Sequence, residues 1–252
     1  MTCGICTPDC GADIVQGVTE LDGKYRASFD LTSATGAIII KYTPNSVPNG
    51  ILSSFNGVNY NKLTSPVHGK LQSTVPSNNY TVCGVLASQC TGIVSTSSYS
   101  KYIANGTSYQ PESGNETITI AAGDLETKAT SSGQCIMVIP KPSATPTTLR
   151  VDIVAPCKSG ASWSIDVACA AAIPATSTTK VEATELAACG GAMTTNHYIV
   201  HADGTTGGAP QVHSYVFTDA NGATEAGNGF IGYGTAAYEI VDGIIVTEND
   251  PC

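Results

Sequence analysis

The amino-acid sequence predicts an all-β protein: an antiparallel, jelly-roll-like β-sandwich followed by a small C-terminal β module. Three observations predict it. Residues 24–31 alternate without a break, with Tyr25, Ala27, Phe29 and Leu31 on one side and Lys24, Arg26, Ser28 and Asp30 on the other, as in a strand with one wet face. Ala37 to Tyr42 is a short Ile-rich run, expected to be a central strand covered on both sides. Asn56-Gly57 stands between Ile51 to Phe55 and Val58 to Leu63, and such a pair accepts the two positive φ angles of a type I′ hairpin turn.

Composition agrees. The 252 residues are only 12% charged and carry 26 glycines, which suits short strands and tight turns. No segment holds a helical stripe as long as a usual helix. The net charge is −9, from 20 acidic and 11 basic residues, and the basic ones are scattered singly. Nucleic acid is therefore not an expected partner, since phosphate binding needs a basic patch. No apolar run reaches the roughly 18 residues of a membrane span. The opening MTCGICTPDCGAD has neither a basic n-region nor an apolar h-region, so no secretory signal is expected.

Along the chain, residues 1–13 read as a Cys-rich arm, 14–172 as the sandwich, 173–187 as a linker of small residues, and 188–252 as the C-terminal module. Val47-Pro48-Asn49-Gly50 and Ser65-Pro66-Val67-His68-Gly69 read as turns. Residues 70–115 look irregular. Cys135 to Ile139 is a second continuous apolar run, expected to be another central strand. Leu149, Val151, Ile153 and Ala155 share a face of the next strand, and Trp163, Ile165, Val167 and Cys169 a face of the one after, with a hairpin turn between them. In the C-terminal module the expected strands are His197 to His201, Ser214 to Thr218, Phe230 to Tyr233, Tyr238 to Val241 and Ile244 to Glu248. Asp219-Ala220-Asn221-Gly222 and Asp242-Gly243 supply turns.

Ten cysteines are many for a cytosolic protein and usual for one that meets an oxidising medium. Cys3, Cys6, Cys10, Cys83, Cys90, Cys135, Cys157, Cys169, Cys189 and Cys252 are all disulfide candidates. Cys83 and Cys90 bracket a loop short enough to close. In the hairpin expected over residues 149–169, Cys157 lies near the turn and Cys169 at the far end, roughly 20 Å away, so each is expected to reach another partner such as Cys135 or the N-terminal cluster. Cys189 and Cys252 flank the C-terminal module and would staple it. The C-x2-C-x3-C pattern at Cys3, Cys6 and Cys10 lacks a fourth ligand nearby, so a disulfide-pinned arm, open to bonds with a neighbouring subunit, is preferred over metal.

No catalytic, metal or cofactor constellation stands out. His197 and His201 on one strand would be about 13 Å apart, too far to share an ion, and with His213 read as surface or edge residues. The nucleophile-elbow pattern G-x-S-x-G is absent. The carboxylates Glu112 and Glu116, or Asp124 and Glu126, read as solvated, and Asp219 to Asn221 lacks a calcium-loop pattern. Tyr80, Tyr99, Tyr102 and Tyr109 cluster among Ser, Asn and Gly, a composition suited to loops that contact glycan or protein. Packing against the sandwich edge is the competing reading for these four.

Two stretches carry a resemblance. The first is LTSATGAIIIKYTPNSVPNGILSSFNGVNYNKL, with its turn at Ser33 to Gly36, apolar strand at Ile38 to Tyr42, turn at Ser46 to Gly50 and hairpin at Asn56-Gly57. It resembles a β-sandwich segment of structural proteins of tailed bacteriophages. The second, TTNHYIVHADGTTGGAPQVHSYVFTDANGATEAGNGFIGYG, is similar to a small module near the C-termini of phage tail and fibre proteins, through Tyr198 to Gly204, Pro210 and Val216 to Gly222. The resemblance implies a virion appendage and no enzyme: a tail tip, baseplate or fibre component, oligomeric with itself and with other virion proteins, touching host-surface glycan through its loops. Such a protein assembles in the host cytoplasm and is extracellular after lysis, which reconciles many cysteines with no secretory signal. Heptads and collagen-like repeats are absent, favouring a compact subunit over a long shaft. The competing expectations are a capsid decoration protein, a secreted carbohydrate-binding module and, least favoured, a glycosidase.

Overall fold

A computed structural model of the chain describes residues 8–11, 13–19, 22–44, 49–63, 80–83, 96–119, 134–156 and 161–249. Its elements are β1 (Asp13–Thr19), β2 (Gly23–Asp30), β3 (Gly36–Thr43), β4 (Asn49–Phe55), β5 (Val58–Tyr60), β6 (Thr81–Cys83), β7 (Thr96–Asn105), β8 (Ser108–Thr119), β9 (Cys135–Lys141), β10 (Thr148–Ala155) and β11 (Ala161–Val167). There follow β12 (Ala175–Thr178), α1 (Glu185–Gly190), β13 (Thr195–Val200), β14 (Tyr215–Phe217), β15 (Gly229–Tyr233), β16 (Ala236–Val241) and β17 (Ile244–Asn249). The chain is all-β, as expected, and the short α1 is the one helix among the described residues. It divides into two compact units: Met1–Ser33, Ile40–Met137 and Ala144–Cys169 in the first, and Ala34–Ile39, Val138–Ser143 and Ala170–Cys252 in the second.

Two sheets supply the first unit, a four-stranded one in the order β1-β11-β3-β9 and a seven-stranded one in the order β5-β4-β10-β2-β7-β8, with β6 also on β4. They form a sandwich, because inward side chains of the two sheets meet. The ring of Tyr25 on β2 lies edge to face on Trp163 of β11 with centroids 4.6 Å apart. The alternation read in β2, β10 and β11 is realised here: Tyr25, Ala27, Phe29, Leu149, Val151, Ile153, Trp163, Ile165 and Val167 are all buried. Asn56 and Gly57 take φ of 50° and 76° between paired Phe55 and Val58, the expected two-residue hairpin.

Several expectations need correction. β10 and β11 are not paired as a hairpin; they belong to different sheets. β9 ends its sheet rather than lying at the centre, although its apolar run is buried as the sequence implies; burial on both faces does not locate a strand within a ladder. Asn49 and Gly50 begin β4 instead of ending a turn. The supposedly irregular stretch before residue 115 contains the longest hairpin among the described residues, β7 with β8, turning at Gly106 with φ of 64°. β2 and β7 run parallel, whereas β10 with β2, β10 with β4, β1 with β11, β11 with β3 and β7 with β8 are antiparallel.

In the second unit the sheet order is β12-β13-β14-β17-β16-β15. Its two edges meet. Just after β12, Thr179 N–H donates to Gly232 O at 3.1 Å, while Glu182 and Phe230 exchange two backbone bonds of 2.8 Å each. The sheet thus closes into a small barrel and leaves no open edge at β15. Val216, Ala226, Ile231, Tyr238, Ile240 and Ile245 fill its core. This corrects the linker expected at 173–187, which instead supplies β12, the closing residues and α1. Thr184 caps α1, its Oγ1 accepting from Ala187 N–H at 3.3 Å. Within the same unit the buried Lys141 ammonium donates to the carbonyls of Ala34 at 2.6 Å and Ser143 at 2.9 Å.

Candidate functional site

β2 and β10 pair with Arg26 opposite Asp152 and Ser28 opposite Arg150. Since side chains alternate along a strand, the face opposite the aromatic core gathers Lys24, Arg26, Arg150 and Asp152. That face of β2 departs from the expected wet one at Lys24, which is 3% exposed beside Asp152 of β10 at 2%, whereas Arg26 and Ser28 are half-buried and Asp30 is exposed. Charges are tolerated there because they neutralise one another. Asp152 Oδ1 accepts from Arg26 Nε at 3.1 Å and from Arg150 Nε at 3.1 Å, and Oδ2 accepts from Arg150 Nε at 3.0 Å and from Arg150 Nη2. The Lys24 ammonium stands 3.5 Å from Asp152 Oδ2 and pairs with Glu116 of β8. Lys101 of β7 and Glu112 of β8 continue the row at 3.6 Å.

Tyr80 lies beside this cluster. Burial pushes its phenol well above the ordinary value, and the negative charges of Asp152 and Glu116 push the same way. The hydrogen bond from Arg150 to Asp152 raises the guanidinium further. Both oxygens of Asp152 are occupied by cationic donors from two strands, so the carboxylate acts as a strut across β2 and β10.

The four tyrosines expected on contact loops are placed within the sandwich architecture. Tyr80 and Tyr99 are buried at 3% and 2% exposure. Tyr102 stacks on Tyr25 with centroids 4.6 Å apart, and Tyr109 meets Tyr25 edge to face at 5.3 Å and Trp163 at 6.2 Å. Burial also pushes the Tyr109 phenol up. For Tyr99, Tyr102 and Tyr109 the physical reason is the β7–β8 hairpin: once a polar-looking stretch becomes a strand, its side chains turn inward by position in the strand, whatever their neighbours. The available signal for that hairpin was Gly106-Thr107, with glycine at the first central position of a two-residue turn.

The histidines are not bland surface residues either. His197 is buried, with Nδ1 2.6 Å from Thr178 Oγ1, and burial lowers its pKa. His201 is buried with Nδ1 2.8 Å from Ser214 Oγ and Nε2 2.7 Å from Gly207 O. A carbonyl only accepts, so Nε2 carries a hydrogen and donates to it. His201 therefore pins the loop between β13 and β14 from both ring nitrogens. His213 is half-buried with φ of 69°. No spacing rule in the sequence pairs His201 with Ser214.

Asp219 closes its own loop. Oδ1 accepts from the N–H of Asn221 at 2.9 Å and of Ala223 at 3.2 Å, and Oδ2 from Ala223 at 3.2 Å and Thr224 at 2.7 Å. Burial works to raise its pKa, but the N–H groups of Ala223, Thr224 and Asn221 outweigh it and hold the carboxyl below its usual value. Among the described residues, no group of three or more His, Cys, Asp or Glu side chains is placed to hold a metal ion. No helix among them is long and apolar enough to cross a membrane. Asp124 and Glu126 lie outside the described residues.

Of the cysteines, Cys10 and Cys169 form a disulfide across 159 residues, so Cys169 does reach the N-terminal cluster. Cys135 is a buried thiol. Cys189 is disulfide-bonded, and its expected partner Cys252 lies outside the described residues, as do Cys3, Cys6, Cys90, Cys157 and the side chain of Cys83. Comparison with protein-family models, with curated proteins and with solved structures finds no match.

Proposed function

We propose that this chain is a non-enzymatic structural subunit of a bacteriophage virion, a component of the tail tip, baseplate or fibre that assembles with copies of itself and with other virion proteins. The observation that supports this reading is the use made of the reactive side chains. Asp152 is spent on Arg26 and Arg150, Glu116 on Lys24, Glu112 on Lys101, and His201 on Ser214 and Gly207. Groups that could move protons are engaged in bracing strands and loops. The turn patterns at Ser33 to Gly36 and Val216 to Gly222 add the resemblance to phage appendages.

Contacts with host-surface glycan belong to the same proposal, but Tyr80, Tyr99, Tyr102 and Tyr109 are committed to packing and are not the residues that would make them. The test is to label the chain within purified phage particles and locate it by electron microscopy. Density at the tail supports the reading, density over the shell replaces it with capsid decoration, and absence from particles removes it.

A further inference from the structure

The bond between Cys10 and Cys169 sits in a frame of backbone hydrogen bonds. Residues 8–11 run beside the last residue of β2: Asp30 N–H donates to Pro8 O at 2.9 Å, and Cys10 N–H donates to Asp30 O at 2.8 Å. On the other side Gly11 N–H donates to Val167 O, the last residue of β11, at 2.6 Å. These bonds tie the segment to both sheets and bring the two cysteine Cα atoms to 4.9 Å, inside the range a disulfide spans. The site is also open, since Cys169 is exposed and Cys10 half-buried, whereas Cys135 is sealed in the core.

We propose that Cys10 and Cys169 are a solvent-accessible redox clasp that closes after the fold has formed, locking residues 8–11 across the ends of the two sheets. The reduced chain adopts the same sandwich, and a small disulfide such as oxidised glutathione then closes the clasp. The Cys169 thiolate attacks one glutathione sulfur, forming a mixed disulfide and releasing one glutathione thiolate. The Cys10 thiolate attacks the Cys169 sulfur of that mixed disulfide, forming the protein disulfide and releasing the second. Two electrons pass from the protein thiols to glutathione, and the released thiolates take up the two protons. The clasp is independent of the virion reading.

The test uses the full chain and the double variant C10S/C169S. The variant is expected to fold, keeping the near-ultraviolet signal of Trp163 and its tyrosine neighbours, with a lower unfolding temperature and faster proteolysis at residues 8–11. The native protein, treated with reductant without denaturant and then with oxidised glutathione, is expected to lose and regain the Cys10–Cys169 peptide on mass spectrometry. A variant without the native aromatic signal would show that the bond is needed to fold. A bond reduced only after denaturation would show that it is not accessible. Either result overturns the proposal.

Discussion

Arg26 and Asp152 stand directly opposite each other on β2 and β10, and Arg26 Nε donates to Asp152 Oδ1 at 3.1 Å. The same carboxylate holds Arg150 and lies 3.5 Å from Lys24, so one buried anion balances cations from both strands. Replacing Asp152 with Asn removes the counter-charge of Arg26 and Arg150, whose side chains are 26% and 41% exposed, and leaves the buried Lys24 with Glu116 alone, a change expected to cost about 2–3 kcal/mol. Glu116, whose side chain is 38% exposed, can be replaced by Gln for about 1 kcal/mol or less, because water substitutes for it. Urea unfolding of D152N and E116Q measures both. Equal losses would show that the cluster is not centred on Asp152.

A second prediction separates backbone conformation from crowding. Gly57 has φ of 76° with open space where a Cβ would go, so G57A is expected to cost about 1–2 kcal/mol for the left-handed backbone alone. Gly36 has φ of 133°, and a Cβ there would stand 2.1 Å from the carbonyl carbon of Ala171, whose oxygen accepts from Ala37 N–H at 2.8 Å. Since backbone cannot yield as a side chain does, G36A is expected to cost at least about 3 kcal/mol. Thermal unfolding of the two variants compares them, and similar losses would deny the close approach at Ala171.

These residues also show what was legible beforehand. Alternation reported the inward faces of β2, β10 and β11 because burial of apolar side chains is a local periodic signal, and Asn56-Gly57 reported its hairpin because positive φ is a local requirement. Sheet membership is not local, and nothing in Leu149 to Val167 says that β10 and β11 part into different layers. Lys24 and Arg26 looked wet because their neutralising partners, Asp152 and Glu116, lie far away in sequence. Residues 179–182 looked like a linker because a barrel is closed there by backbone bonds and Thr hydroxyls, which leave no apolar pattern. The cysteine partners stayed open because connectivity depends on the three-dimensional path.

Barrel closure itself is testable at Thr179. Its Oγ1 accepts from Gly232 N–H at 2.8 Å and donates to Lys180 O at 3.0 Å. Valine keeps the shape of threonine but leaves the buried Gly232 donor unsatisfied, so T179V is expected to destabilise the second unit by about 1–3 kcal/mol. T179S keeps the oxygen and is expected to lose less. Amide exchange at Gly232 reads the difference, with faster exchange in T179V than in T179S. Unchanged protection in T179V would mean that the seam is held elsewhere.

The second unit is also expected to weaken in acid in two stages. Burial lowers the pKa of His197 in the folded state from its ordinary 6.5, so as pH falls the unfolded chain takes up the proton first. The stability involved is fully present above about pH 6.5 and drains as pH falls from there toward the folded value. Asp219 and Asp203 follow at lower pH. The Thr205 hydroxyl and N–H hold Asp203 below the usual 3.8, as backbone N–H groups do Asp219, so their contributions are present above that value and are lost as pH falls through the folded ones. Hydrogen exchange of β13 and β14 between pH 7 and 3 is expected to show a first rise in opening below about pH 6.5 and a second below about 3.8, after correction for the intrinsic rate. H197N supplies an amide in place of the ring nitrogen facing Thr178 and carries no titrating group, so it is expected to flatten the first stage and spare the second. A first stage that persists in H197N would assign it to a group other than this histidine.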